Sequence, residues 1–379
     1  MRWTADAELA AIAQELDLLL NLTPVNSASA WQEFEASRFL AAPRFVYRDL
    51  QFDIDEMRRR LANVGTDDVD EPLVAGLLES KRREIALELD LLEKRNTPRF
   101  LEISMSLFGR VTPALLERAL GLLSALPSTS ADGDRVSPEE MRRRAIEELS
   151  YYHSIVDSFT CEVEIRDDVV DLMVHRGNVL IGASVAVRRD RVVPLLQHEI
   201  GTHVVTYFNA TEQPLTLLRI GLDGYEETQE GIAVLAEYAV DGLDAERMRL
   251  LAGRVVAIHR MIEGWSFVEI FDELKVQHDF SAHTAWSVTA RVARSGGLTK
   301  DVIYLRGLIN VIEHLKGGAS LDPLLAGKMA LVHVPAIEQL IERGVLRPPL
   351  VHPRWVHEGA ARLEAIGPET TMLDLVTTR

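Results

Sequence analysis

Apolar residues recur at helical spacing through much of the chain. Leu9, Ile12, Leu16 and Leu19 share one face of the stretch 5–22, which Thr23-Pro24-Val25-Asn26 ends. Residues 53–61 predict a second helix ahead of an acidic loop at 65–68. Residues 73–94 predict a long amphipathic one, with Leu78, Ile85, Leu89 and Leu92 on its apolar side. The N-terminal third is therefore mainly helical, and runs such as Arg58-Arg59-Arg60 are solvated faces.

Residues 127–135 are rich in turn formers and poor in apolar residues, which makes them a linker. A helix starts directly after it, since Ser137 offers an N-cap, Pro138 suits the first helical position and Glu140 lies three residues past the cap. This boundary gives an N-terminal helical region, 1–135, and a second domain, 136–379. In the second domain the period changes. Alternating runs at 160–166 and 170–175, a turn at 176–178 and a further run at 179–187 predict strands, with a hairpin feeding the segment after them. Helical spacing then returns: 209–214 breaks one helix, 221–224 turns into another starting at Tyr225, and 245–263 and 266–277 are helical again. Residues 346–350 form an extended joint, and the chain from Thr370 is expected to be loose. The fold class is α+β, mainly helical, with a small sheet.

With 379 residues, 47% of them hydrophobic and 26% charged, the composition is that of an ordinary globular protein. The formal net charge of -17 argues against a nucleic-acid-binding surface or an anionic membrane partner. No apolar run approaches a membrane span, and the start lacks an export signal. Cys161 is the one cysteine, so neither an intrachain disulfide nor a Cys-rich zinc site can form, and a buried structural thiol is expected there. A cytoplasmic protein fits these features. Oligomeric state is not encoded legibly.

The densest chemistry lies in Leu195-Leu196-Gln197-His198-Glu199-Ile200-Gly201-Thr202-His203, which places two imidazoles and a carboxylate within six residues. Zinc takes neutral imidazole nitrogens, and a catalytic zinc keeps three protein ligands and an open position for water. A non-ligating Glu beside the first His can accept the proton of that water as it attacks a carbonyl. The spacing is unusual. In H-E-x-x-H the two His stand at i and i+4, about 40° apart around a regular helix; here they stand at i and i+5, about 140° apart. A turn widened by one residue, a π-bulge, would return both to one face, and Gly201 is placed to tolerate it. His153, His259 and His278 are expected to be packed neighbours rather than ligands. Downstream, 225–238 predicts a helix with several carboxylates near its acidic start. A His-Glu helix followed by a Glu-bearing helix is the general plan of His₂Glu zinc peptidases.

His198-Glu199 through His203, the 209–214 segment and Gln229-Glu230-Gly231-Ile232-Ala233 resemble the bacterial proteins named for a Q-E-G-L-A motif. Their eukaryotic relatives are the microtubule-associated tyrosine carboxypeptidases, with an H-E-x-x-x-H zinc motif. The similarity continues through Arg291-Val292-Ala293-Arg294-Ser295-Gly296-Gly297 and 298–305, covering 140–316 well and the N-terminal third loosely. Ile232 replaces the motif's Leu, and Ser295 stands where a Gly is common. The resemblance implies a zincin-like metallopeptidase core with His198, His203 and Glu230 as Zn²⁺ ligands and Glu199 as general base, acting on a peptide or protein C-terminus.

In the segment 281–315, Thr299 precedes a helix whose first turn is expected to hold Lys300 and Asp301, and a Lys there opposes the helix dipole. With Arg291 and Arg294 nearby it predicts a bound anion, which for a carboxypeptidase is the substrate's terminal carboxylate. Surface salt bridging is the alternative. Tyr304 and Tyr225 are candidates for stabilising the oxyanion. The rival to an enzyme is a regulatory or binding protein that keeps a structural metal, and the intact Glu199 counts against it.

Overall fold

The structure is a computed structural model that describes residues 3–66, 69–128, 133–169 and 171–377. The middle of the expected linker (129–132), the tip of the acidic loop (67–68), position 170 and the two residues at each end lie outside the described residues. The protein is mainly helical with two small sheets, consistent with the α+β expectation.

Packing divides the chain into two compact units. One comprises Met1–Arg2, Ala131–Asp244 and Arg306–Arg379; the other comprises Trp3–Ser130 and Ala245–Leu305. One division falls near the linker, but compactness does not follow the sequence order that a split into 1–135 and 136–379 assumes. The helix Ala245–Ile262 belongs with the N-terminal helices because it packs along Pro113–Ala125. Its Arg249, 5% exposed, donates to the carbonyls of Leu123 (2.6 Å) and Leu126 (2.8 Å).

In the unit containing the N-terminal helices, Asp53 caps Ile54–Asn63 by accepting the Glu56 N–H at 2.8 Å, and the long helix runs Pro72–Glu93. The expected 5–22 helix is broken into Thr4–Leu16 and Leu18–Leu22 at Asp17, whose φ of 37° is left-handed. Phe34, fully buried, meets the rings of Phe39, Phe267, Phe271 and Trp286 at centroid distances of 4.9–5.4 Å, an aromatic core drawn from both sequence segments.

In the other unit, Ser137 caps the helix Pro138–Ile155 as its sequence requires, accepting the Glu140 N–H at 3.3 Å. The strands are β1 (Arg135–Val136), β2 (Val163–Arg166), β3 (Leu172–His175), β4 (Asn178–Gly182) and β5 (Val187–Arg188). The order is β2-β4-β3, with β2 parallel and β3 antiparallel to β4, so β3 and β4 form the expected hairpin. The run 179–187 is not one strand: β4 ends at Gly182, and β5 pairs instead with β1. Val179 and Ile181 of β4 bury against the same core as Tyr152, Ile200 and Val204, which seats the sheet under the His-Glu segment. The C-terminal stretch is tied down rather than loose, since Thr377 donates its N–H to the Leu243 carbonyl at 2.8 Å.

Candidate metal centre

The His-Glu segment is one helix interrupted in the middle. Regular α-helix covers Val192–His198 and Val205–Thr211, and the intervening Glu199–Val204 is a π-turn. This is the widening that the i, i+5 spacing requires. The carbonyls displaced by the wide turn find side-chain donors: Thr202 Oγ1 donates to Gln197 O (3.1 Å) and the Trp355 indole to Gly201 O (3.2 Å). Gly201 matters for room rather than backbone freedom. A Cβ there would stand 2.9 Å from Trp355 Cδ1 and 2.5 Å from Gln197 Oε1.

The second ligand-bearing helix is Tyr225–Ala239. Its carboxylates are sorted by their partners. Glu227 is taken by Arg306 Nε (2.7 Å) and Asn310 Nδ2 (2.6 Å), whereas Glu230 faces the two histidines. Gly231 comes next because the backbone crosses closely there: an added Cβ would meet the Gly307 carbonyl at 2.4 Å.

His198, His203 and Glu230 each offer one ligand atom, all within 4.8 Å of one another. Glu230 Oε2 lies 3.5 Å from His198 Nε2 and 3.9 Å from His203 Nε2. Ligand atoms around a tetrahedral zinc stand roughly 3.3–3.4 Å apart, so this donor set fits such an ion with small side-chain adjustments. Glu199 is buried at 8% exposure and is not a member of the group.

Glu237 is a partner that sequence reasoning missed. Its Oε1 lies 2.9 Å from His198 Nδ1, and its other oxygen pairs with Arg191. A carboxylate on Nδ1 holds the ring so that Nε2 presents its lone pair to a metal. The signal was available, because Glu230 and Glu237 are seven residues, two helical turns, apart and share a face. Burial opposes charge on His198, but Glu230 and Glu237 outweigh it and push its pKa up to about 9. Burial dominates at His203, where it combines with the positive charges of His198 and Lys328 to lower the pKa to about 4. His203 is therefore held in its neutral form, the form in which an imidazole can coordinate a metal.

Tyr225 is in the same unit as the triad, at the first residue of the Glu230 helix. Arg291, Arg294, Lys300 and Tyr304 are in the other unit, where the two arginines and Tyr304 lie around the buried Asp301 and Arg254. Arg291 holds Asp301 with both sides of its fork, Nη2 to Oδ1 at 2.8 Å and Nε to Oδ2 at 2.5 Å. Arg254, also missed from sequence, lies 3.5 Å from the same carboxylate and stacks 4.7 Å above the Tyr304 ring. Lys300 is 5% exposed with its ammonium 5.7 Å from the Phe108 ring. Burial, then the neighbouring Arg291, push Arg294 down to about 10. Ser295 has a φ of 53° and is fully buried. His259 and His278 pair with Glu263 and Glu273 in this unit. Cys161 is half-buried rather than buried, and desolvation pushes its thiol up to about 11, away from nucleophilic use.

Two imidazoles and a carboxylate converging on one point, with a further carboxylate behind the first imidazole, define a candidate divalent-metal centre on a widened His-Glu helix. The chain belongs to the microtubule-associated tyrosine carboxypeptidase family, whose profile matches residues 32–370. It is similar to microtubule-associated tyrosine carboxypeptidase 1 of Homo sapiens, Mus musculus and Rattus norvegicus, with 28% identity over 163 residues in each case. The matched stretch covers 40% of this chain and 33% of each relative, so the chain aligns with a third of their length. Among the described residues no helix is long and apolar enough to cross a membrane.

Proposed function

We propose that the protein is a zinc-dependent carboxypeptidase with a zincin-like core, removing C-terminal residues from a peptide or protein in the cytoplasm, with neither nucleic acid nor membrane as partner. The observation that carries the reading is the convergence of His198, His203 and Glu230 across the π-turn, with Glu199 in sequence next to the first ligand. Family membership supports the carboxypeptidase class, and the name of the relatives supports a substrate ending in tyrosine. Residues 136–379 supply every group in the metal part of this assignment.

Zinc held by the triad would polarise the scissile carbonyl and acidify the attacking water. Glu199 is proposed as the general base, which would take a proton from the attacking water and pass it to the departing amine. Glu237 keeps the His198 ring in its ligating orientation. Arg291, Arg294 and Lys300 are proposed to attract and hold the substrate's terminal carboxylate, a part that their positive charge suits. Tyr304 is proposed as a hydroxyl donor to the oxyanion. The reading favours an enzyme over a silent metal-bearing binder because a structural site has no use for Glu199.

The test is elemental analysis of protein purified without chelators. About one zinc per chain is expected, with most of it lost in His203→Ala because one of three ligands is gone. Unchanged metal in that variant would end the ligand assignment.

A further inference from the structure

A segment remote in sequence joins the two helices that carry the metal ligands. It consists of two short helices, Arg354–Glu358 and Ala360–Glu364, that meet at Gly359. At one end Trp355, fully buried, donates its indole N–H to Gly201 O at 3.2 Å, in the middle of the wide turn. The edge of the indole closes over that glycine, since a Cβ there would stand 2.9 Å from Trp355 Cδ1. At the other end the segment lies on the last turn of the Glu230 helix: a Cβ on Gly359 would meet Ala239 Cβ at 2.7 Å and the Ala239 carbonyl at 2.8 Å. Tyr238 adds a bond from the same turn, its hydroxyl donating to Arg362 O at 3.2 Å, and Arg362 reaches on to Asp241.

Trp355 is itself held in place. Its carbonyl accepts the Gly359 N–H at 2.9 Å. The preceding residue, Arg354, donates its N–H to the Tyr152 hydroxyl at 3.0 Å and its guanidinium to Glu148 Oε2 at 3.2 Å. The other oxygen of Glu148 accepts from the Gln197 amide at 2.8 Å, so the same segment also steadies the residue just before His198. These contacts matter because a π-turn does not sustain itself. It is rare, and strained backbone persists only where its surroundings over-determine it. Closed to a regular helix, the segment would set the two imidazoles about 140° apart, and only one of them would face Glu230.

We propose that Trp355 is a positioning residue for the metal centre, pinning the wide turn while Gly359 fixes the distance from that turn to the Glu230 helix. The inference rests on the reading of His198, His203 and Glu230 as ligands, and adds to it the part of the chain that holds their two helices in register. Trp355 touches neither metal nor substrate in this assignment, so its effect falls on metal capture.

Zinc affinity is measured by chelator competition on three variants. Trp355→Phe keeps an aromatic ring and removes the N–H, Tyr238→Phe removes the bond at the other end, and Leu340→Ala truncates a fully buried side chain of the same unit outside the segment. Circular dichroism and urea unfolding of the metal-free protein are recorded for each. A substitution that only destabilises the fold lowers the urea midpoint and leaves the zinc dissociation constant unchanged while the protein stays folded, because binding then starts from the folded state alone. Trp355→Phe should weaken zinc binding about 10-fold or more at unchanged helix content, Tyr238→Phe less but in the same direction, and Leu340→Ala not at all. An unchanged constant in Trp355→Phe, or an equal loss in Leu340→Ala, would overturn the assignment. Should Trp355→Phe fail to fold, Tyr238→Phe decides by the same measure. Zinc uptake by the unsubstituted protein is scored first, so failure of the ligand reading and failure of the Trp355 assignment are distinguishable.

Discussion

Each of the two units holds a cluster of charged side chains, one richer in acceptors and the other richer in donors. In the unit of the ligand-bearing helices, lone pairs converge: two imidazole nitrogens, Glu230 and, behind them, Glu237. In the other unit N–H donors converge, with Arg254, Arg291 and Arg294 gathered near the Asp301 carboxylate. The first arrangement asks for a cation. The second is partly closed by its own chain, since Asp301 occupies the fork of Arg291. A charge cluster's capability therefore depends on how its members are paired, more than on which ionisable residues it contains.

The strongest way to break this contrast is to remove charge on the acceptor-rich side without touching the ligands. Glu199→Gln should keep its zinc and fold while any peptidase rate falls by about 10²–10⁴-fold, measured as kcat on a free-acid peptide. Loss of metal would instead make Glu199 a ligand. On the donor-rich side, Asp301→Ala strands Arg254 and Arg291, and should cost about 3–5 kcal/mol in denaturant unfolding. Burial would raise the Asp301 carboxyl, but Arg291 and Arg254 outweigh it and hold it well below the usual range. A depressed folded pKa contributes stability above the unfolded value of about 4, lost as pH falls below it. The variant should accordingly flatten the acid limb of the stability curve, and an unchanged limb would remove Asp301 from the account. Glu237→Gln is gentler: it keeps a hydrogen-bond acceptor for His198 and gives up the charge, so zinc affinity in competition with a chelator should fall about 10- to 100-fold. Equal affinity would reduce Glu237 to an Arg191 partner. The smallest effect belongs to Ser295→Gly, which releases a left-handed residue whose buried hydroxyl makes no hydrogen bond. A stabilisation of up to about 1–2 kcal/mol is expected, and destabilisation would show that the strain is illusory.

Legibility of these features in the sequence depended on their range along the chain. The pairing of His198 with His203 and the widened turn could be read because spacing within one helix carries them, Glu230 came from the family resemblance, and Glu237 could have been read from its spacing to Glu230. The N-terminal helices were legible from period alone, although Asp17 breaks one without any Gly or Pro to announce it. The grouping of Ala245–Leu305 with the N-terminal helices had no local signal, because it depends on which apolar faces meet. Arg254 was invisible for the same reason: its partner Asp301 is tens of positions away, and nothing in its own neighbourhood marks it.

The widened turn also sets the phase of the helix beyond it. One additional residue in a helix rotates everything downstream by about 100° about the axis, so the apolar stripe before His198 and the one after His203 belong to different registers. Asn209 comes out of that rotation pointing inward. It is 1% exposed, donates to the carbonyls of Leu325 and Val351 at 2.9 and 2.8 Å, and accepts the Val351 N–H at 2.9 Å. A deletion that shortened H-E-x-x-x-H to H-E-x-x-H would leave two histidines one turn apart and look harmless on paper. It would also turn the Asn209 amide out of register with the chain it clasps, so the wide turn and the backbone at Leu325 and Val351 are mechanically coupled.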